Sequence, residues 1–294
     1  MAQIREIKKR IGGVKTVQRI TKTMQMIATA KFTAAMQHVS AARPYSQRID
    51  RLMAEALAAA GGDFEHPLID GPSDSPSRQR VLVITSNRGM CGAYNAHAFR
   101  TAMTHIRELR DRGRELELET AGKKAVGFFK FQKIPVTTNH SIGDQPGYDE
   151  IERLALTYID DFVAGRHDAV HVVSMEFVNV ARQVPRVIQL LPLQPAVAPE
   201  TPTDDARGGA LYDFSPSVQA ILDQLMPLAV KTILFQVFLE ARVSEQIMRM
   251  VAMKAATENA GELARNLTRT FNRARQAQIT TELMEIISGA AALE

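Results

Sequence analysis

The chain has a single cysteine, no tryptophan and aromatic side chains at only 6% of its 294 residues. One cysteine excludes a disulfide framework and any multi-cysteine zinc site, and it fits a reducing compartment. With so few aromatics, the core has to be built from Ala, Leu, Ile and Val and the thirteen methionines, which is a helix-rich composition. No uninterrupted run of about 18 apolar residues occurs, so no membrane span is expected. Acids are nearly missing from the first 31 residues, where Glu6 is alone among Arg5, Lys8, Lys9, Arg10, Lys15, Arg19, Lys22 and Lys31. Proline is absent from Leu228 to Ser288, and Gly261 is the only glycine there.

What is present fits a soluble globular chain of one or two domains: 45% apolar residues, 23% charged residues and a net charge of +4. The basic N-terminal segment calls for something acidic opposite it. Nucleic acid, a plain solvated face and a basic, acid-poor transit peptide are the readings open at this point.

The two ends share a pattern that the middle lacks. Ile4, Ile7, Ile11 and Val14 are spaced 3, 4, 3, a heptad seam, and Ile20, Met24, Ile27 and Ala30 or Lys31 are expected to continue it. This predicts one helix from about Ile4 to Ala60, kinked or interrupted at Pro44 and stopped by Gly61 and Gly62. At the far end a second helix is expected from Pro227, placed in its first turn, to Ser288. Its apolar series is Ala260, Leu263, Leu267, Phe271, Ala274, then Ile279, Leu283, Ile286 and Ala290. Some 60 residues at 1.5 Å each would span about 90 Å, and so long a helix needs a partner along its length. The opposite end of the same chain supplies one, in an antiparallel two-helix coiled coil. Gly261 then marks either a tight crossing or a tolerated helical glycine costing about 1 kcal/mol against alanine.

The middle alternates strand and helix. Strands are expected at 81–85, 116–120, 134–138, 169–177 and 183–191, the last two as a hairpin, with helices at 96–112, 123–131 and 149–164. The fold class is therefore α/β: a long antiparallel coiled coil of the terminal helices plus a central Rossmann-like α/β domain with a mostly parallel sheet. The expected divisions are 1–62, 78–195, a linker at 196–215 within the Pro, Asp and Gly-rich exit from Pro192, and 216–294.

One stretch looks catalytic. SNRGMCGAYN, Ser86 to Asn95, follows an apolar strand and holds two glycines and the lone cysteine. Its Gly89-x-x-Gly92 spacing matches neither a dinucleotide fingerprint nor a P-loop. His97 falls on the following helix and no orienting acid is identifiable, so Cys91 reads as a small buried thiol and the glycines as turn residues. His167 and His171 straddle a strand start and lack a third ligand. Glu150, Glu152, Asp160 and Asp161 read as the solvated face of a helix. Chemistry alone thus favours a mechanical or scaffolding protein, with no catalytic residues, metal or cofactor.

Three stretches carry a resemblance. ITKTMQMIATAKF (Ile20–Phe32), SNRGMCGAYN, and VAMKAATENAGELARNLTRTFNRARQAQITTELMEIISGAAAL (Val251–Leu293) resemble, in order, the N-terminal, central-domain and C-terminal motifs of the γ subunit of F-type ATP synthases. Asn87 stands where an aspartate is usual and Phe32 where a leucine is common. The resemblance implies a non-catalytic rotor shaft, one copy per complex, inside a ring of α and β subunits, seated on the membrane c ring beside ε and binding no nucleic acid. It implies that the basic N-terminus faces acidic β-subunit loops. It places Lys22 and Met24 at the β lever loops, Arg249, Gln276, Thr280 and Glu282 at the β catch loops, and Arg275 beside them. The first motif begins about as far from the start as in bacterial members, so no removable leader is expected. With Cys91 alone, the regulatory cysteine pair of chloroplast members is not expected either. The setting implied is the cytoplasmic face of a bacterial inner membrane.

Overall fold

A computed structural model describes residues 2–60, 65–71, 77–194 and 217–291. Gly61, Gly62 and the whole of the expected linker at 196–215 lie outside the described residues. The elements run α1 (Ala2–Ala60), α2 (Pro67–Asp70), β1 (Arg78–Ile84), α3 (Tyr94–Asp111), β2 (Glu115–Ala121), α4 (Lys123–Phe131), β3 (Thr138–His140), α5 (Tyr148–Val163), β4 (Ala169–Asn179), β5 (Arg182–Leu191) and α6 (Val218–Ala291). The fold is α/β, as the alternation predicts, with long terminal helices bracketing the sheet. Two compact units divide it: residues 1–30 with 249–294, and residues 31–248.

In the first unit α1 and α6 pair antiparallel. The seam of α1 runs through Ile4, Ile7, Ile11, Val14, Gln18, Thr21 and Ala28, and that of α6 through Met253, Thr257, Ala260, Ala264, Leu267, Phe271 and Ala274. Each keeps the 3, 4 alternation of a heptad. Register is fixed where Thr257 Oγ1 donates to Thr21 Oγ1 at 2.8 Å and Gly261 faces Gln18. The expected continuation of the seam is corrected here. Ile20 and Ile27 are 53% and 52% exposed, and Leu263, Ile279, Leu283 and Ile286 also lie outside the seam. The side chain of Ala290 is not described.

In the second unit the sheet order is β3-β2-β1-β4-β5, parallel except for the β4–β5 hairpin. β1 is buried on both faces from Gln79 onward, and its last four residues, Val81–Ile84, form an unbroken apolar run. Leu82, Ile84, Val170 and Val172 meet α5 and the α6 residues Leu222, Met226, Val230 and Leu234 on one face. Val81, Val83 and Leu118 meet α3 and α4 on the other.

Most element bounds differ from expectation by only one to three residues; Pro44, the start of α6 and the start of β3 depart for a physical reason. Pro44 is exposed and α1 runs through it. α6 begins nine residues before Pro227, because burial of Leu222 and Met226 outweighs the hydrogen bond that the proline lacks. Ile134 is drawn into the α4 core, so β3 starts only at Thr138. One 18-residue window within Val218–Gly289 is apolar enough by composition to cross a bilayer. The α6 side chains Leu222, Met226, Val230, Leu234, Val237, Phe238 and Ala241 nevertheless belong to the sheet core.

Candidate partner-contact surface and the closed sheet crevice

Doubly wound sheets bind ligands outside the carboxyl ends of their strands, and SNRGMCGAYN lies there, between β1 and α3. Its polar groups are consumed internally. Ser86 Oγ donates to Arg88 O at 2.7 Å, Asn95 Nδ2 donates to Ser86 Oγ at 2.7 Å, and Asn95 Oδ1 accepts from Ser86 N at 3.1 Å. Cys91 Sγ lies 3.3 Å from Asn95 Nδ2 and 3.6 Å from Ser86 Oγ, neither of which is a base that could activate a thiol. Asn87 uses both ends of its amide: Nδ2 donates to Ile142 O at 3.1 Å and Oδ1 accepts from Lys123 N at 3.2 Å. An aspartate could make only the second bond.

The start of α4 offers no phosphate cradle. The N–H groups of Lys123, Lys124 and Ala125 are taken by Asn87 Oδ1, Ser86 O and Thr85 Oγ1. Phe238 and Ala241 of α6 help close the crevice, leaving a cavity of about 40 Å³. Ligand pockets are typically about 300 Å³ or more, so no nucleotide fits.

Charged groups under α5 are structural. Arg80, with a side chain 7% exposed, meets Asp161 at 2.7 Å, Glu117 at 3.4 Å and Glu119 at 3.5 Å. Its guanidinium carbon lies 5.2 Å from the centre of the Tyr158 ring. Glu119 also accepts from Tyr158 Oη at 2.6 Å and meets His140 Nε2 at 2.7 Å. Burial alone would raise the pKa of Glu119, but His140, Tyr158 and Arg80 outweigh it and hold the carboxyl below its ordinary range. Asp161 is shifted the same way, with Arg166 and Arg80 overcoming the cost of burial. The reading of these helix acids as a solvated face is therefore corrected for Asp161, and for Glu152, which holds Lys231 at 2.9 Å. Arg80 stands opposite Glu117 in the ladder, so the pair fixes the β1–β2 register. None of these side chains lines the crevice cavity. His167 bonds Glu117 and His171 bonds Gln79, on opposite faces of the sheet, and no metal-binding cluster occurs among the described residues.

The surface capable of meeting a partner lies on the paired helices. Lys22, Arg275, Gln276, Thr280 and Glu282 are exposed, and Met24 and Arg249 are half-buried. Thr280 Oγ1 donates to Gln276 O at 3.0 Å and Gln278 Nε2 donates to Glu282 at 2.7 Å, which orients two of these side chains along the helix. From Ile279 to Gly289 every residue is exposed. Sequence reasoning missed the residues between them. Val17, Ile20, Met26 and Ile27 on α1, with Ile279, Leu283, Met284, Ile286 and Ile287 on α6, present apolar side chains outward. The signal was in the sequence, because a second apolar series one position off the seam cannot be buried by a two-helix pair.

The family model described as ATP synthase matches residues 3–293. The ATP synthase gamma chain of Rhodopirellula baltica is 40% identical over 300 residues, with all of both chains covered. That of Leptospira biflexa is 39% identical over 294 residues, again covering both chains fully. The chain belongs to the ATP synthase gamma chain family. It is thus a subunit of the ATP synthase complex, a membrane-associated assembly. Solved structures agree on the fold. A chain of the Euglena gracilis mitochondrial ATP synthase superposes with TM-score 0.64 at 18% identity, covering 99% of this chain and 95% of its own. A chain of the Tetrahymena thermophila mitochondrial ATP synthase central stalk and c-ring gives 0.59 at 19% identity, covering 81% and 99%. Both features found above, a closed crevice and an outward apolar series on paired helices, suit a gamma chain that works by contact.

Proposed function

We propose that this gamma chain is the central rotor shaft of a rotary F-type ATP synthase and is itself non-catalytic. Its paired helices stand within a ring of α and β subunits, and its α/β domain sits with ε on the membrane c ring, at the cytoplasmic face of a bacterial inner membrane. Ion flow turns the c ring, and the shaft takes each β subunit in turn through its nucleotide states. The carrying observation is the double apolar pattern in the first unit. One series is buried in the α1–α6 seam, and a second, led by Ile20, Ile27, Leu283 and Ile286, faces outward and requires surrounding protein.

Lys22 and Met24 are proposed to touch the β lever loops. Arg249, Arg275, Gln276, Thr280 and Glu282 are proposed to touch the catch loops. The working division is 1–62 for the first helix of the shaft, 78–195 for the foot, 196–215 for a linker and 216–294 for the second helix. One charge crossing about 100 mV releases roughly 2.3 kcal/mol, whereas an exposed ion pair contributes about 0–1 kcal/mol. The seam as a whole, not any single bridge, therefore carries the load, and weak charged contacts let the surface slip from one partner to the next.

The test is purification of the tagged chain from its own cells. Recovery of α and β subunits, with ATPase activity that depends on the chain, is expected. Recovery without them, or with nucleic acid that dissociates steeply with salt, would favour a basic coiled-coil nucleic-acid-binding protein instead.

A further inference from the structure

The segment 141–147, between β3 and α5, lines the crevice cavity with Ile142, Gly143, Asp144 and Pro146. Asn87 holds its start through Ile142 O, and Asp144 ties its middle to α1. Asp144 Oδ2 accepts from Lys31 Nζ at 2.9 Å, with the two side chains 35% and 36% exposed. That bond is the chief cause holding the Asp144 carboxyl below its usual range, and Arg88 and Arg242 attract it from further off. A partly exposed ion pair is a weak tie.

Arg242 of α6 lines the same cavity in the opposite condition. It is 9% exposed, and its Nη1 is buried without a hydrogen-bond partner. Burial pushes its pKa down, while Asp144 and Glu245 pull it back. Glu245 stands three residues along the same helix and still leaves Nη1 unmet. A buried guanidinium arm with no acceptor is costly, and a carboxylate is the acceptor that satisfies it best. Asp144 is a carboxylate of the same cavity wall, and only a weak bond holds it elsewhere.

We propose that Asp144 is a shared carboxylate with two resting positions, one on Lys31 of α1 and one on Arg242 Nη1 of α6, which lets the α/β domain pass its grip between the two long helices. Each position carries one cost, so the two lie close in free energy. In the first, Nη1 stays buried and unpaired; in the second, Lys31 returns to water at little cost, but the carboxylate gives up part of its hydration. The cavity of about 40 Å³ gives the carboxylate room to turn inward without moving the strands. Either helix can then shift against the domain without leaving carboxylate and guanidinium both unpaired. This hand-over stands whether or not the chain turns inside a ring, and the full chain alone tests it.

Hydrogen exchange in peptides covering 141–147 reads how firmly the segment is held. Lys31→Met alone and Arg242→Leu alone should each raise the exchange rate only about twofold, because removing one of two equal positions halves their combined weight. Together they should raise it about tenfold or more, the weight of one charge-assisted hydrogen bond. Asp144→Ala should match the double variant, and Arg88→Leu added to Lys31→Met should change nothing further. Peptides of β1 should exchange as in the parent throughout, which separates local release from failure to fold; if Arg242→Leu disturbs them, Arg242→Gln takes its place. A structure of the Lys31→Met chain should show an Asp144 oxygen within about 3.2 Å of Arg242 Nη1. Four results would overturn the proposal: the full effect from Lys31→Met alone, a double variant no looser than the singles, Arg88→Leu acting in place of Arg242→Leu, or Asp144 turned to solvent in the Lys31→Met structure.

Discussion

Gly122 joins β2 to α4 at φ +112, a backbone state that L side chains rarely adopt. A Cβ there would lie 2.2 Å from Thr85 O and 2.7 Å from Thr85 C and Oγ1. These are mostly backbone atoms at the end of a fully buried strand, so no flexible side chain can move aside. Gly122→Ala must therefore open the β1–β2 ends by about 1 Å. That strains Thr85 N to Ala121 O, now 2.7 Å, and Ala125 N to Thr85 Oγ1, now 3.2 Å. The backbone state costs an L residue about 1–3 kcal/mol, and two weakened hydrogen bonds add about 1 kcal/mol each. A loss of about 3–5 kcal/mol follows, which should lower the Tm by roughly 10 °C for a unit of this size. Thermal unfolding followed by circular dichroism reads it directly. The control is Gly127→Ala, inside α4 with nothing within 4 Å, which should be neutral or stabilising by up to about 1 kcal/mol. If Gly122→Ala melted within about 2 °C of the parent, the steric argument would be wrong.

Gly261→Ala tests the crossing in the helix pair. The new Cβ would meet only the mobile end of Gln18, at 2.7 Å, so the gain in helix propensity should dominate. A stabilisation of about 0–1 kcal/mol in urea unfolding is expected, and a loss above about 1 kcal/mol would mean the helices cannot spare the space. Replacing Leu267 and Phe271 together with glutamine should cost several kcal/mol and should uncouple ion flow from ATP synthesis or block assembly; normal coupled synthesis in membranes would refute the seam as the load path. Acid sensitivity follows from His171, whose pKa is lowered to about 4 by burial and by neighbouring His105. The unfolded chain takes up that proton first, so stability is fully present above about pH 6.5 and is lost as pH falls toward 4. The loss is at most about 3 kcal/mol, at 1.36 kcal/mol per pH unit. His171→Gln should flatten the urea midpoint between pH 6.5 and 4.5, and an unchanged slope would contradict it.

Local patterns were read correctly where the decisive contacts are local. The 3, 4 spacing at Ile4 to Val14 marked a seam, α4 was placed at Lys123–Phe131 from its flanking punctuation, and the β4–β5 hairpin followed from its length and turn. The face of the helix pair further along was not legible. Ile20 and Ile27 look more like core than Gln18 and Thr21, yet Thr21 is buried and Gln18 half-buried in the seam, where Thr21 and Thr257 satisfy each other. A surface that is itself apolar for binding competes with the seam in any periodicity count. Asp161 looked solvated because its partner Arg80 is 81 residues away. Pro227 read as a helix start because propensity carries no knowledge of the core packing at Leu222 and Met226. Of the contact residues, nothing in spacing distinguishes Thr280 or Glu282 from any exposed helix position; only the motif resemblance does.

The central proposal is that this chain turns inside a ring of partner subunits. Its lone cysteine is buried, so a cysteine introduced at exposed Val163 gives one site for attaching a bead to the α/β domain. With the α and β subunits fixed to a surface and ATP supplied, the bead should rotate in one direction in discrete steps. A bead that stays still while the same complexes hydrolyse ATP at full rate would contradict the proposal.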